Sequence, residues 1–193
     1  IPTFVTHVTA QLQKAGFEAY LVGGCVRDTI LGRTPKDWDI TTNATPSQVE
    51  EVFADLKTVY ENDFGTVTVL NIAPDRASRL PGEASAKSIE TPDVDNVAQV
   101  TTYRSEGGYS DFRRPDSVTY ETELAKDLER RDFTINSLFF NLVSRKVEDF
   151  TGKGLEDLRE GLIRTPTDAL VTMNDDPLRL LRAIRFATKL SFS

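Results

Sequence analysis

The sequence predicts a mixed α/β domain over residues 1–150 followed by an all-helical segment over residues 151–193, and three observations carry that expectation. Short apolar or alternating runs such as AYLV and GTVTVLNI take turns with stretches of helical spacing through the first part of the chain. Glycine or proline stands where one kind of run gives way to the other, as at Gly16, Gly23, Gly24, Gly32 and Pro46. Past residue 150 only helical periodicity remains, in LEDLREGLI and DPLRLLRAIRFATKL.

The elements follow in order. Residues 4–15 place Phe4, Val5, Val8 and Leu12 at helical spacing, and Gly16 stops that helix. EAYLVGG reads as a strand entering a tight turn, and CVRDTILGR as a short helix closed by Gly32. DWDIT alternates like a strand, with Asp37 and Asp39 on one face and Trp38 and Ile40 on the other. TPSQVEEVFADL is a helix with Thr45 as N-cap and Pro46 at its first position. GTVTVLNI and AQVTTYRS are strands, and the Pro-, Ala-, Ser- and Asp-rich APDRASRLPGEASAKSIETPDVDN between them reads as a long surface excursion. GGYSDFRRPDS is a loop by composition, ELAKDLERRDFTINSLFFNLV a helix, KVEDF a strand, and Gly152 and Gly154 a turn before the final helices.

Composition sets bounds on function. With 193 residues, 39% of them hydrophobic and 27% charged, the chain can bury a core. No apolar run approaches the ~20 residues of a membrane span, so no membrane partner is expected. No secretory leader pattern opens the chain, and the lone Cys25 cannot form an internal disulfide, which suits a reducing compartment. A cytoplasmic location is the expectation, or a mitochondrial or nuclear one in a eukaryote. The chain opens on Ile1 and closes on a helical pattern, as a fragment of a longer protein would; its oligomeric state is not legible. The formal net charge of −7 argues against gripping nucleic acid with the whole surface, but the arginines bunch at Arg113 and Arg114, at Arg130 and Arg131, and at Arg179, Arg182 and Arg185, so a local basic cleft is possible. One histidine, His7, leaves no Ser-His-Asp triad and no histidine-based zinc site. No G-x-G-x-x-G or Walker A motif occurs, and Cys25 has no base beside it.

Two features carry chemistry. Asp37 and Asp39 at i and i+2 of a strand point the same way with bases roughly 6–7 Å apart, close enough to converge on hard cations. A two-metal phosphoryl-transfer site needs such a clamp. Taken alone, D-x-D suits an amphipathic edge strand with its acids facing water better than a metal site. Gly23 and Gly24 would let backbone N–H groups approach phosphates, but they also serve any tight turn. Their order is more informative than either feature.

A Gly-Gly turn, a helix bearing Arg27 and Asp28, and D-x-D on the next strand resemble the nucleotidyltransferase superfamily to which DNA polymerase β belongs. More closely, LVGGCVRDTILGRTPKDWDITT resembles the opening motif of the class II tRNA nucleotidyltransferase and bacterial poly(A) polymerase family. FGTVTV, VTTYRSEGGYSDFRRPDSV, ERRDFTINSLFF, VEDFTGKGLEDLREGLIRTP and DDPLRLLRAIRFATKL follow in that family's order, across residues from about 17 to 190.

The resemblance implies a polymerase-β-like nucleotidyltransferase head with a small mixed sheet and flanking helices at 1–150, and the start of a helical neck at 151–193. It implies that Asp37 and Asp39 hold two catalytic magnesium ions and that Gly24 and Arg27 hold the triphosphate. Arg131, Asp132 and Asn136 fall at the ribose and triphosphate positions. Asp176 and Arg179 match the pair that reads the incoming base, and Arg182 and Arg185 match nucleotide contacts. The implied reaction is addition of CCA to a tRNA 3′ end from CTP and ATP. Adding only A or only C, or poly(A) synthesis, is the alternative within the family, and an inactive nucleotide- or RNA-binding module the alternative outside it. On residues alone, ERRDFTIN could be an ordinary helix with an ion pair. Asp176-Pro177 is equally an N-cap, before a helix whose apolar face would be Leu181, Ile184 and Ala187. The chain departs from many relatives at Gln99, where they carry an acid, and has Asp175-Asp176 where bacterial ones often have Glu-Asp.

Overall fold

The computed structural model describes residues 1–60, 64–72, 96–110 and 115–193. Most of the excursion expected over 73–96, together with Arg113 and Arg114, lies outside the described residues. The chain begins with helix α1 (Thr3–Lys14), strand β1 (Ala19–Val22), α2 (Gly24–Ile30), β2 (Asp39–Thr42) and α3 (Pro46–Val52). Strands β3 (Lys57–Tyr60), β4 (Thr66–Leu70), β5 (Val97–Thr102), β6 (Arg104–Gly107) and β7 (Ser117–Tyr120) follow. Then come α4 (Leu124–Glu129), a 3₁₀ turn (Thr134–Asn136), β8 (Phe139–Asn141), β9 (Lys146–Glu148), α5 (Gly154–Glu160), α6 (Ala169–Asp175) and α7 (Leu178–Leu190). No helix among the described residues is long and apolar enough to cross a membrane.

Seven strands form one mixed sheet in the order β3-β4-β5-β2-β1-β8-β9, with β2 and β5 parallel and the other neighbours antiparallel. Its register places Val67, Val100, Ile40 and Leu21 in one row across four strands. All four are buried in the core, in one cluster with Val5, Val8 and Leu12 of α1 and Val49 of α3. One residue along, Thr68, Gln99, Asp39, Val22 and Phe139 form the next row, which alternation turns to the opposite face. Asp39 therefore sits mid-sheet, on the side away from α1 and α3. The start of α3 is fixed as expected: Thr45 and Gln48 make a reciprocal capping box, with Pro46 in the first turn.

The structure corrects several local expectations. AQVTTYRS is two strands, not one. The chain breaks at the fully buried Tyr103, whose N–H donates to the Thr42 carbonyl at 2.7 Å, and β6 leaves to pair with β7 in a separate two-stranded sheet. The long helix expected over 123–143 shrinks to α4. Beyond it the Asp132 carboxylate accepts from the Phe133 N–H at 2.8 Å, and Phe139 and Phe140 pair with β1, so local and sheet bonds replace helical ones. β2 starts at Asp39, leaving Asp37 exposed just ahead of it. β3, β7 and α6 were not expected from the sequence. On α7 the buried face is displaced from the expected one: Leu181 and Ile184 are 63% and 64% exposed, Phe186 and Leu190 are buried, and of the three arginines only Arg179 is buried.

The segment between α4 and β8 is clamped from below by α5. Asp157, fully buried, accepts from the Thr134 hydroxyl at 2.6 Å, and Gly154 lies so close that a Cβ there would come within 2.7 Å of the Thr134 carbonyl oxygen and 2.9 Å of Leu138. Gly154→Ala should therefore destabilise the protein by about 1–3 kcal/mol, read from urea unfolding. An unchanged unfolding midpoint would show that the backbone yields without cost.

Candidate functional site

A cavity of about 810 Å³ opens on the Asp39 side of the sheet. Every residue singled out in the sequence lines it: Gly24 and Arg27 from α2, Asp37 and Asp39 at the start of β2, Arg131, Asp132 and Asn136 from the segment after α4, and Asp176, Arg179, Arg182 and Arg185 from the start and inner face of α7. Gln99 is not in the lining, but it pairs in register with Asp39.

One end of the cavity is acidic. Burial lifts the Asp39 carboxyl above the usual carboxylate range, the charge of Asp37 lifts it further, and the Arg131 guanidinium draws it back. Asp39 thus lies within reach of the charge of Asp37, as two carboxylates sharing a cation would. Such all-oxygen donors suit a hard divalent ion, and among the described residues no cluster of three or more acidic, His or Cys side chains exists to hold one otherwise. Gln99 brings an amide, not a third charge, to the row beside Asp39. Gly23 enters α2 at a φ of +79°, a conformation that favours glycine. Cys25, buried and hydrogen-bonded to the Val22 carbonyl, has its thiol pushed up to about 11 by burial and is a packing residue, not a nucleophile.

The other walls are basic, and their charges are tied into networks. Arg27, buried, pairs with Asp28 at 2.7 Å and donates to the Asn136 amide oxygen. Asn136 donates in turn to Asp132 at 3.1 Å, and Asp132 receives both Nε and Nη2 of Arg182. A continuous chain of bonds therefore runs from α2 through the 3₁₀ turn to α7. In a second network Asp127, fully buried, accepts from both Arg130 and Arg131. Burial alone would raise its carboxyl, but the two guanidinium groups outweigh burial and hold it low. Glu106 behaves similarly, between Arg130 and Arg104 and with the Tyr109 hydroxyl donating to it.

Asp176 serves two ends at once. One of its oxygens accepts the Leu178 N–H at 2.9 Å and so caps α7, while the other stands 3.9 Å from Nε of Arg179. Arg179 is itself anchored by donating to the carbonyls of Arg130 and Thr172. Sequence reasoning missed Asp127, Glu106, Arg104, Tyr109 and Phe186. For Asp127 a signal existed, because it precedes Arg130 and Arg131 at helical i,i+3 and i,i+4 spacing. Of the partners of Glu106, Arg104 and Tyr109 are close in sequence, while Arg130 comes from beyond α4 and has no such local mark.

Residues 19–164 match the family described as the poly A polymerase head domain. The chain is 43% identical over 187 residues to a CCA-adding enzyme of Lactobacillus delbrueckii subsp. bulgaricus, covering 96% of this chain and 41% of that one. Among solved structures it resembles the Bacillus stearothermophilus CCA-adding enzyme in complex with CTP, with a TM-score of 0.75 and 32% identity over 98% of this chain and 39% of that one. The Thermotoga maritima CCA-adding enzyme complexed with tRNA-CCA matches with a TM-score of 0.66 and 26% identity, over 97% and 37% of the two chains. The chain spans about two fifths of the length of the curated relatives it matches.

The coupling of the two aspartates is open to measurement. Asp37→Asn removes one of the two causes that raise Asp39, so the Asp39 titration midpoint should fall in metal-free protein followed by carbon-detected NMR. A midpoint that stays or rises would mean that the two carboxylates do not sense each other.

Proposed function

The chain belongs to the poly A polymerase head-domain family, and we propose that it is the catalytic head of an enzyme that adds CCA to the 3′ end of tRNA from CTP and ATP. One observation supports this above others: a single cavity sets two carboxylates, Asp37 and Asp39, against a wall of arginines contributed by four separated segments. Relatives solved in complex with CTP or tRNA share the fold over nearly the whole of this chain.

Enzymes of this family generally depend on a divalent metal. In this reading Asp37 and Asp39 hold two magnesium ions, and Gln99 leaves them the only charged ligands among the described residues. When bound, the metal supplies Lewis acidity at the attacking 3′ hydroxyl and at the departing pyrophosphate. Arg27 and Gly24 face the triphosphate, and Arg131, Asp132 and Asn136 take the ribose and phosphates. Arg182 and Arg185 extend the same electropositive wall. Residues 1–150 are the head, and residues 151–193 open a helical neck that closes the cavity with α7. Cytoplasm, where CTP, ATP and new tRNA meet, is the location that goes with this reaction.

Base choice falls to Asp176 and Arg179. Cytosine and adenine present an amino donor beside a ring-nitrogen acceptor, while uracil and guanine present a carbonyl beside a ring N–H. The Asp176 oxygen not used by the helix cap can accept from the amino group, and Arg179 can donate to the ring nitrogen. Anchoring of Arg179 on two carbonyls keeps that pair in one geometry.

The test is incorporation by the full-length protein on a tRNA transcript ending before CC. CMP and AMP should be added in the order C, C, A; addition of A alone, of C alone or of long A tracts would move the protein to another activity of the family. Asp37→Ala and Asp39→Ala should each lower the rate by about a thousandfold or more with the fold intact. Wild-type activity in either would remove the two-carboxylate mechanism. Asp176→Ala should lose roughly tenfold to hundredfold of the preference for CTP and ATP over UTP and GTP. Full retention of that preference would leave Asp176 as a helix cap only.

A further inference from the structure

The arginines of the cavity share a support that is not itself charged. The guanidinium carbons of Arg27, Arg182 and Arg185 lie 5.0, 5.5 and 5.1 Å from the centroid of one ring, that of Phe186. All three distances fall inside the ~6 Å over which an aromatic face attracts a cation. The ring is 6% exposed, lines the cavity, and is fixed edge-on by Phe133 at 5.9 Å and 86°. Arg27 comes from α2 and the other two from α7, so the ring joins two helices that have no covalent proximity.

Three guanidinium groups crowded at one place repel, and each needs something to compensate it. Arg27 has Asp28, and Arg182 has Asp132. Arg185 has no ion pair among the described residues, and its recorded contact is the ring. An aliphatic side chain would fill the same space beside Leu190 equally well, but it would offer no negative face. The edge-on contact with Phe133 already favours an aromatic residue here, and the three guanidinium groups give its negative face a second use.

We infer that Phe186 is a positioning residue: its ring holds Arg27, Arg182 and Arg185 together as one cationic surface and so sets how tightly the site grips the triphosphate of the incoming nucleotide. This rests on the nucleotidyl-transfer reading, and it adds a residue that touches neither the base nor the reacting atoms. The expected signature is selective for phosphate. Loss of the ring face loosens three cations that meet the triphosphate and leaves the Asp176–Arg179 pair in place.

The experiment uses full-length protein carrying Phe186→Met, which keeps an apolar side chain of similar reach, and Phe186→Tyr, which keeps the ring. Affinities for MgCTP, inorganic tripolyphosphate and CMP are measured by calorimetry, with the thermal midpoint as a control. Phe186→Met should weaken MgCTP and tripolyphosphate by about tenfold and CMP by less than about twofold, raising KM with little change in kcat, while Phe186→Tyr stays near wild type. Position-specific replacement of Phe186 by mono-, di- and trifluorinated phenylalanine drains charge from the ring face with little change of shape, and MgCTP affinity should fall with each fluorine. Wild-type affinity in Phe186→Met, equal weakening of CMP and MgCTP, or indifference to fluorination would each overturn the inference and leave the nucleotidyl-transfer reading standing. Failure of the wild-type protein to bind MgCTP at all would remove that reading and this inference with it.

Discussion

The register of β2 against β5 is the constraint on which the cavity depends. It places Ile40 in a row with Val67, Val100 and Leu21 against the core helices, and that row leaves Asp39 to the opposite face. Because side chains alternate along a strand, a slip of one residue would put a carboxylate among buried valines and a core isoleucine into the site. The hydrophobic packing of α1 and α3 thus aims Asp39 as firmly as any hydrogen bond could. Every other group of the cavity is positioned relative to that one.

The electrostatics follow from where acids and bases are spent along the chain. The protein is acidic overall, yet the cavity wall opposite Asp37 and Asp39 is built from arginines drawn from α2, from β6, from the end of α4 and from α7. Most are not free. Asp28, Asp127, Glu106 and Asp132 each neutralise one or more of them; Asp28 makes it possible to bury Arg27 almost completely, and Arg179 is buried on the carbonyls of Arg130 and Thr172 with Asp176 nearby. The result is a surface whose charge is held in place, not merely present, and Phe186 contributes to it without carrying charge.

What could be read from the sequence was whatever leaves a local mark. The Thr45 cap, the turn at Gly23 and Gly24 and the strands carrying Ile40, Val67 and Val100 all follow from turn chemistry or alternation within a few residues. D-x-D gave both carboxylates, although Asp37 proved to lie just before the strand and not within it. β3 and β7 are only four residues long and owe their existence to partners elsewhere in the chain, and the break at Tyr103 depends on a bond to Thr42. The displaced face of α7 has the same origin. Periodicity marked Leu181 and Ile184 as the inward side, but the carbonyls of Arg130 and Thr172 give Arg179 a better reason to turn in. The ordered motifs led to residues that line one cavity because they follow chain order, while Phe186, which serves other residues, stood out only in three dimensions; Asp127 had left a local mark in its spacing to Arg130 and Arg131.

The chain of bonds from Arg27 through Asn136 and Asp132 to Arg182 has a thermodynamic consequence. Ordering a long arginine side chain forfeits up to about 2 kcal/mol of rotamer entropy, and here two of them are already immobilised by one another before any substrate arrives. A ligand entering such a site does not have to freeze these side chains; it has to exchange one set of partners for another. Its affinity is then governed by how well its own oxygens replace the Asp132 carboxylate and the Asn136 amide, and association should carry an enthalpic character with little penalty from side-chain ordering.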